Sequence, residues 1–183
     1  MSGIPVDTPT PETLQGLHIV LYPDPVLRAM CVPVDRFDPW VAGLAERMLG
    51  LMHEAHGVGL AAPQVGIPVR LFVCNTTGEP GDDRAFVNPR FVELTGAGEA
   101  EEGCLSLPDV NVNMRRAVRA VIEASDVNGR AIRATGEDLT ARVWQHERDH
   151  LDGRLIVDRM STADAIANRR VLKQLEANHK PRR

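Results

Sequence analysis

The segment 145–150, with the sequence QHERDH, constrains this chain more than any other stretch. It contains the pattern HExxH. Residues four apart lie on one face of an α-helix, so His146 and His150 can both point at one metal ion. Glu147 lies roughly 60° around the helix from His150. A carboxylate there can accept a proton from water at the ion without binding the ion itself.

The surrounding sequence favours a helix at this position. Leu139, Val143, His146 and His150 follow one another at spacings of four, three and four, which is one helical face. Gly153 supplies a C-terminal stop. The pattern HExxH also arises by chance, and a helix with two incidental histidines is the alternative. Residues elsewhere in the chain must decide between the two.

Length and composition restrict the class of protein. The 183 residues suffice for one domain with a hydrophobic core, and no internal repeat or second domain is visible. No run approaches 18 uncharged apolar residues, so we expect no membrane span. The N-terminus lacks the basic and apolar regions of a secretion signal. Three cysteines are an odd number, which favours a reducing cytoplasm and a thiol with a role other than a disulfide.

The charge of the chain is unevenly distributed. Residues 161–183 hold six basic and two acidic groups, giving +4, whereas the other 160 residues carry −8. Ser161 to Asp164 is typical of a helix start, and Ile166, Val171 and Leu175 partly line one side of that helix. A basic tail hints at an anionic partner, and a solvated helix end explains it equally well. We expect no DNA and no membrane partner.

Short strands and one further helix are predicted before the central helix. Asp38 and Pro39 begin a helix whose apolar residues recur at helical spacing up to Ala55. Asn128-Gly129 predicts a hairpin. Residues 1–13 are expected to be mobile. Strands are predicted at 18–21, 69–74, 85–87 and 90–94. A further strand is predicted at 118–124, where apolar and polar residues alternate as in a half-buried strand, and its hairpin partner includes 132–134.

Two further segments carry chemistry. The run 57–64, GVGLAAPQ, has so little side-chain bulk that a ligand or another backbone can approach closely. Gln64 carries the one side-chain amide of this run. The amide could donate a hydrogen bond to a reacting carbonyl, or it could only stabilise the loop by bonding within it. Cys104 lies in 102–106, EGCLS, and alone is a weak candidate. With two spaced histidines downstream it becomes a good third ligand, and three ligands with an open position are typical of a catalytic zinc-type site.

Together and in this order, GVGLAAPQ, EGCLS and QHERDH resemble the signature of the peptide deformylase family. The resemblance runs from about residue 18 to about residue 160. It implies an α+β fold, with antiparallel and mixed sheets around a central metal-binding helix, plus a C-terminal helix. It implies a single catalytic domain that removes the formyl group from N-formylmethionine at the start of newly made polypeptides.

The resemblance also implies a site. Cys104, His146 and His150 are the implied metal ligands, and Glu147 is the implied acid and base. Gln64 and the backbone N–H of Leu105 are implied to stabilise the oxyanion. The donor set suggests zinc on general grounds, while the resemblance points to Fe²⁺, with Ni²⁺ or Co²⁺ as other substitutes.

We expect small and apolar residues to bind the substrate, because a formyl group is the smallest acyl group. The predicted residues are Val58, Gly59, Gly103, Leu139 and Val143. Packing against Gly59 or a sheet explains Leu139 and Val143 equally well. The segment 109–116, DVNVNMRR, departs from the commonest family versions, and Asn111 stands where a basic residue is frequent.

Two other functions fit parts of the pattern. One class of HExxH peptidase needs a third histidine where this chain has Ile156, and another needs a downstream glutamate, for which only Glu176 is available. A catalytically silent metal-binding or ribosome-docking protein is the second alternative. Glu147 and Gln64 argue against it, because neither is needed merely to hold a metal.

Overall fold

The computed structural model describes residues 9–179, which form helices and two separate antiparallel sheets. The helices are α1 (Pro11–Gln15), α2 (Pro39–Glu54), α3 (Asp138–Leu151) and α4 (Thr162–Asn178). The strands are β1 (Gly59–Ala61), β2 (Leu71–Cys74), β3 (Arg84–Thr95), β4 (Gly98–Cys104), β5 (Leu107–Arg116), β6 (Arg119–Ser125) and β7 (Ala131–Glu137). The larger sheet has the order β1-β2-β3-β6-β7, and β4 pairs with β5. The predicted α+β class with a C-terminal helix is confirmed, whereas both named sheets are antiparallel rather than mixed.

The larger sheet lies between helices α2 and α3. Strand β2 shows this directly, because all four of its residues are buried. Leu71 and Val73 pack into the core formed with α2, while Phe72 and Cys74 pack into the core formed with α3. Successive side chains of a strand point to opposite faces. A strand covered on both faces is therefore apolar without interruption.

Helix α3 lies where the sequence predicts it. It follows β7 directly, and Gly153, with φ +68°, lies just after its end. One side of α3 packs on the larger sheet through Ala141, Val143 and Trp144. The β4–β5 hairpin meets its other side, so the predicted ligand helix lies between the two sheets.

The sequence analysis divides β3 wrongly. Asn88 and Pro89 were expected to separate two strands, yet Arg84–Thr95 is one strand. The pairing with β6 shifts register between Val87 and Arg90, so Pro89 lies at a bulge, where the missing N–H costs no ladder bond. Asn88 has φ +52°, and its side chain bonds both backbone groups of Val34.

One prediction about the N-terminus is wrong. Residues 18–21 were expected to form a strand, but they lie outside both sheets and form no regular secondary structure. The Val20 N–H donates to the carbonyl oxygen of Gln64, which ties the segment to the small-residue run. Residues 11–13, which were expected to be mobile, belong to α1, whose Leu14 is buried, and their mobility stays a prediction. Residues 1–8 lie outside the described residues.

Two predicted faces also differ from the structure. The alternation expected for β6 fails, because Ala120, Val121 and Ile122 are all buried. In α4, Ile166 was expected to pack, but it is 72% exposed. Helix α4 instead packs through Val171, Leu172 and Leu175 on the core that contains β5. Within residues 9–179, no helix is long and apolar enough to cross a membrane.

Helix α4 is attached to the free edge of β5 by Asn168. The Asn168 side chain accepts a hydrogen bond from the Asn111 N–H at 3.3 Å and donates to the Asn111 carbonyl oxygen at 2.8 Å. It therefore satisfies the two backbone groups that a neighbouring strand would bond. Asn168 is 7% exposed, so a buried side chain makes both of these hydrogen bonds.

We predict that Asn168→Ala lowers the free energy of unfolding by about 1–3 kcal/mol, because it removes the two hydrogen bonds that this buried side chain makes to the Asn111 backbone. Urea unfolding followed by circular dichroism measures the change. Ile166→Ala on the same helix is the matched control, and we expect it to stay within about 0.5 kcal/mol of the parent. Equal stabilities of the two variants would contradict the role of Asn168.

Candidate metal centre and active site

Three side chains from two elements meet at one point. Cys104 ends β4, while His146 and His150 lie one turn apart on α3. The Sγ of Cys104 is 3.3 Å from the Nε2 of His150, which is 3.3 Å from the Nε2 of His146. The three candidate ligand atoms all lie within 4.8 Å of one another. The structure thus places the predicted triad in one cluster.

The spacing of these atoms fits a divalent metal ion. Tetrahedral bonds of about 2.0–2.3 Å to nitrogen and sulfur separate neighbouring ligand atoms by roughly 3.3–3.7 Å. The separations of 3.3 Å in this cluster agree with that requirement. A thiolate with two imidazoles binds zinc and late first-row metals alike. The donor set therefore accepts a divalent transition metal without selecting one.

The second nitrogen of His146 is held by a buried carboxylate. The Nδ1 of His146 is 3.1 Å from Glu102 Oε2, an arrangement that leaves Nε2 for a metal. Arg116 donates to both Glu102 oxygens, at 2.7 and 2.8 Å, and also to Asp149. Burial alone would raise the pKa of Glu102. Hydrogen bonds from His146 and Arg116 outweigh it and hold that pKa well below its usual range.

The two histidines differ in their protonation. Burial holds the pKa of His150 well below its ordinary value, so its imidazole is neutral, as a ligand must be. Burial also acts to lower the pKa of His146, but hydrogen bonds to Cys104 and Glu102 raise it to about 10. A proton and a metal ion both need the Nε2 lone pair of His146, so they compete for it.

Glu147 is the carboxylate next to His146 on α3. Its side chain is buried, and its Oε2 has no hydrogen-bond partner among residues 9–179. Burial raises the pKa of Glu147 to about 7. Such a group can both take and return a proton near neutral pH. A Cβ at Gly59 would lie 2.4 Å from Glu147 Oε1, so only glycine leaves room for the carboxylate.

Gln64 points its amide at the same cluster. Its Oε1 accepts from the Ala61 N–H at 2.8 Å, which fixes the direction of the amide. Its Nε2 lies 3.2 Å from Ser106 Oγ and 3.5 Å from Cys104 Sγ. The amide is 1% exposed. Gln64 therefore presents an oriented N–H donor beside the triad.

A cavity of about 390 Å³ opens onto the cluster. Its lining includes every residue predicted for substrate binding and catalysis and two of the three candidate ligands, while His150 is buried behind it. The predicted residues in the lining are Val58, Gly59, Gln64, Gly103, Cys104, Leu105, Leu139, Val143, His146 and Glu147. Sequence segments that are far apart in the chain thus form one site.

The sequence analysis missed four residues that line the cavity and one behind it. Glu102 and Arg142 bond each other at 2.7 Å, and His56 and Glu101 also belong to the lining. Arg116 stands behind Glu102. Arg142 precedes His146 by four residues, a spacing that places it on the ligand face. That spacing could have identified it, whereas nothing in the sequence marks Arg116 as a partner of Glu102.

Comparisons with known proteins agree with this geometry. The polypeptide deformylase family matches residues 17–165. Peptide deformylase from Acidobacterium capsulatum is 42% identical over 145 residues, which make up 78% of this chain and 85% of that protein. The chloroplastic peptide deformylase 1B of Oryza sativa subsp. japonica is 40% identical over 166 residues, which make up 89% of this chain and 62% of the plant protein.

A solved structure shares the fold as well. The crystal structure of a peptide deformylase from Legionella pneumophila aligns with a TM-score of 0.82 and 39% identity, and the alignment covers 90% of this chain and 99% of that one. The family match spans most of the chain, including the small-residue run, Cys104 and both histidines. This chain therefore belongs to the polypeptide deformylase family.

Proposed function

We propose that this chain is a metal-dependent hydrolase that removes the formyl group from the N-formylmethionine of newly made polypeptides and releases formate. One observation carries the proposal. The cavity places a triad of metal-binding type beside a buried carboxylate, Glu147, that has a free oxygen. Membership in the deformylase family supports the same reaction.

We propose Cys104, His146 and His150 as the ligands of one divalent metal, with Fe²⁺ as the native ion and Zn²⁺, Ni²⁺ or Co²⁺ as substitutes. When bound, the ion acts as a Lewis acid and makes a coordinated water nucleophilic near neutral pH. Glu102 orients the imidazole of His146 through its Nδ1. We infer that these residues would hold the ion beside the cavity.

The residues around the triad have distinct roles in the proposed reaction. Glu147 accepts a proton from the attacking water and passes it to the departing amine, so formate and a free methionyl amine result. Gln64 Nε2 and the Leu105 N–H donate to the formyl oxygen as negative charge develops on it. Each such donor typically contributes about 3 kcal/mol or more to lowering the barrier.

The shape of the cavity favours a small acyl group next to an apolar side chain. Gly59 and Gly103 line the cavity without side chains of their own, and the buried Val143 packs against Gly59. Leu139 is 49% exposed and Val58 42% exposed, so both stand at the open side. We propose that these five residues bind the formylmethionyl end of the substrate.

The peptidase alternative lacks its third protein ligand. Ile156, at the place of a third histidine, is buried in the core around β5. Glu176, the downstream glutamate, bonds the hydroxyl of Tyr22 at 3.1 Å. Among the described residues, the one group of histidine, cysteine or acidic side chains placed to hold a metal is Cys104, His146 and His150.

We also propose a weak contact between α4 and ribosomal RNA, in the cytoplasm, where formylated chains emerge. Arg169, Arg170 and Lys173 are exposed at spacings that place them, with Ile166, on the outward face of α4. Basic groups on one face attract phosphates. Lys180, Arg182 and Arg183 belong to the same predicted tail but lie outside the described residues.

We predict that the metal-loaded protein releases formate from a formyl-Met-Ala peptide and leaves every peptide bond intact. An N-acetyl peptide should react far more slowly, because its extra methyl group has little room beside Gly59 and Gly103. The assay incubates formylated, acetylated and free peptides anaerobically and measures both formate and new amines. Cleavage inside the free peptide would favour the peptidase, and no reaction with metal bound would favour the silent protein.

We predict that two substitutions separate proton transfer from metal binding. Glu147→Gln should retain the metal and lose about 10²–10⁴-fold in kcat, because the amide cannot accept the proton. Cys104→Ala should lose the metal itself, since two ligands rarely hold a catalytic ion. Metal analysis and formate release measure both, with Glu46→Gln on the exposed side of α2 as control. A metal-free Glu147→Gln, or a fully loaded Cys104→Ala, would refute these roles.

We predict that Arg169→Glu with Lys173→Glu weakens co-sedimentation with ribosomes and reduces its salt dependence, because phosphate contacts are lost. The matched control is Arg130→Glu with Arg133→Glu, which changes the net charge equally in and beside β7. Truncation after Met160 is a poorer test, because it would also uncover the edge of β5 that Asn168 bonds. Equal loss in both double variants would exclude a specific role for α4.

A further inference from the structure

Arg142 connects the ligand helix to the hairpin that carries the third candidate ligand. It lies one turn before His146 on α3, and its side chain is 15% exposed. Its Nη1 donates to Glu102 Oε1 at 2.7 Å and to the Met114 carbonyl oxygen at 2.9 Å. Its Nη2 donates to the Gly98 carbonyl oxygen at 2.9 Å. One guanidinium therefore makes three hydrogen bonds to the hairpin.

These three acceptors belong to both strands of the hairpin. Gly98 begins β4, Glu102 lies near its end, and Met114 belongs to β5. The hairpin presents Cys104 at the end of β4, whereas the histidines project from α3. More than 40 residues of chain separate Cys104 from His146. The distance between the thiol and the imidazoles is therefore determined by contacts between the hairpin and α3, rather than by the covalent chain.

We propose that Arg142 is a positioning residue for the metal centre, which holds the Cys104 strand at the distance from α3 that a shared metal ion requires. The inference rests on the proposed metal site. A guanidinium suits the role because its planar fork reaches several acceptors at once in a fixed geometry. A lysine ammonium is a point charge on a flexible stem, and it cannot span Gly98 and Met114 in the same way.

The role of Arg142 can be separated from that of Arg116. If Arg142 is replaced, Glu102 keeps its bonds from Arg116 and from His146, so the buried carboxylate stays paired. The two hairpin carbonyls lose their donor instead. Replacing Arg116 would leave Glu102 and Asp149 without their shared cation, and would disturb charge and position together.

The test compares Arg142→Met, Arg142→Lys and the control Arg133→Met in the full chain. Arg133 is an exposed arginine on β7 that pairs with Glu123. The probe is Co²⁺: competition with a chelator gives its dissociation constant, and its visible absorption reports the thiolate and imidazole geometry. Outer contacts of metal ligands typically change affinity by about 10–100-fold. We expect Arg142→Met to bind Co²⁺ at least about tenfold more weakly with shifted bands, Arg142→Lys to be intermediate, and Arg133→Met to match the parent.

Several results would overturn the inference. One is a folded Arg142→Met with the parent's Co²⁺ affinity and spectrum. Another is a loss of stability in urea with both metal readouts unchanged, because Arg142 would then only support the fold. If Arg142→Met does not fold, parental affinity and bands in Arg142→Lys would be decisive against it. The Co²⁺ affinity and spectrum do not depend on formate release. If the proposed activity is wrong, that failure is seen separately, in the peptide assay on the parent protein.

Discussion

The buried carboxylate of Glu102 is the interaction on which the site depends. A buried charge is costly unless it is paired and hydrogen-bonded, and Glu102 is 7% exposed. His146, Arg116 and Arg142 all donate to it, from two different elements of the chain. Satisfying this one carboxylate therefore joins α3 to the β4–β5 hairpin. The same contacts orient one imidazole of the candidate metal centre.

The site also depends on small residues in the run 57–64, because they allow α3 to approach β1 closely. Side-chain atoms of Glu147 and Val143 lie where a Cβ at Gly59 would stand. Gly57 is similarly close to Leu105, whose Cδ1 would be 2.7 Å from an added Cβ. The run of small residues thus brings Gln64 and Glu147 into the lining of one cavity with the candidate ligands Cys104 and His146. A bulkier run would separate these side chains.

The proposed reaction needs only a few groups. In the proposed reaction, a metal held by the triad would supply the nucleophile, one carboxylate would move one proton, and two N–H donors would meet the developing charge. Three of these parts are immobilised before any substrate arrives. Gln64 is held by Ala61, His146 by Glu102, and Glu147 by the packing around Gly59. Preorganisation of this kind favours the transition state because little has to move during the reaction.

The sequence by itself determined the parts of this protein that depend on local geometry. Helical spacing placed α3 and aligned His146 with His150, and the Asn128-Gly129 turn placed the hairpin between β6 and β7. The motifs together identified the family. Only the tertiary structure decided that β3 continues through Pro89 and that α4 turns Ile166 outward. The physical reason for both is that a bulge and a packing face depend on the neighbouring element.

The partners of the buried groups were likewise decided by the tertiary structure. Arg142 meets Glu102 across 40 positions of sequence, and Asn168 meets Asn111 across 57. Each of these contacts joins polar side chains or backbone groups that have no periodic spacing along the chain. Hydrophobic periodicity reports which face of an element is buried, not which distant group will satisfy a buried charge or amide. The candidate ligands could therefore be named from sequence, while the contacts that hold them in place could not.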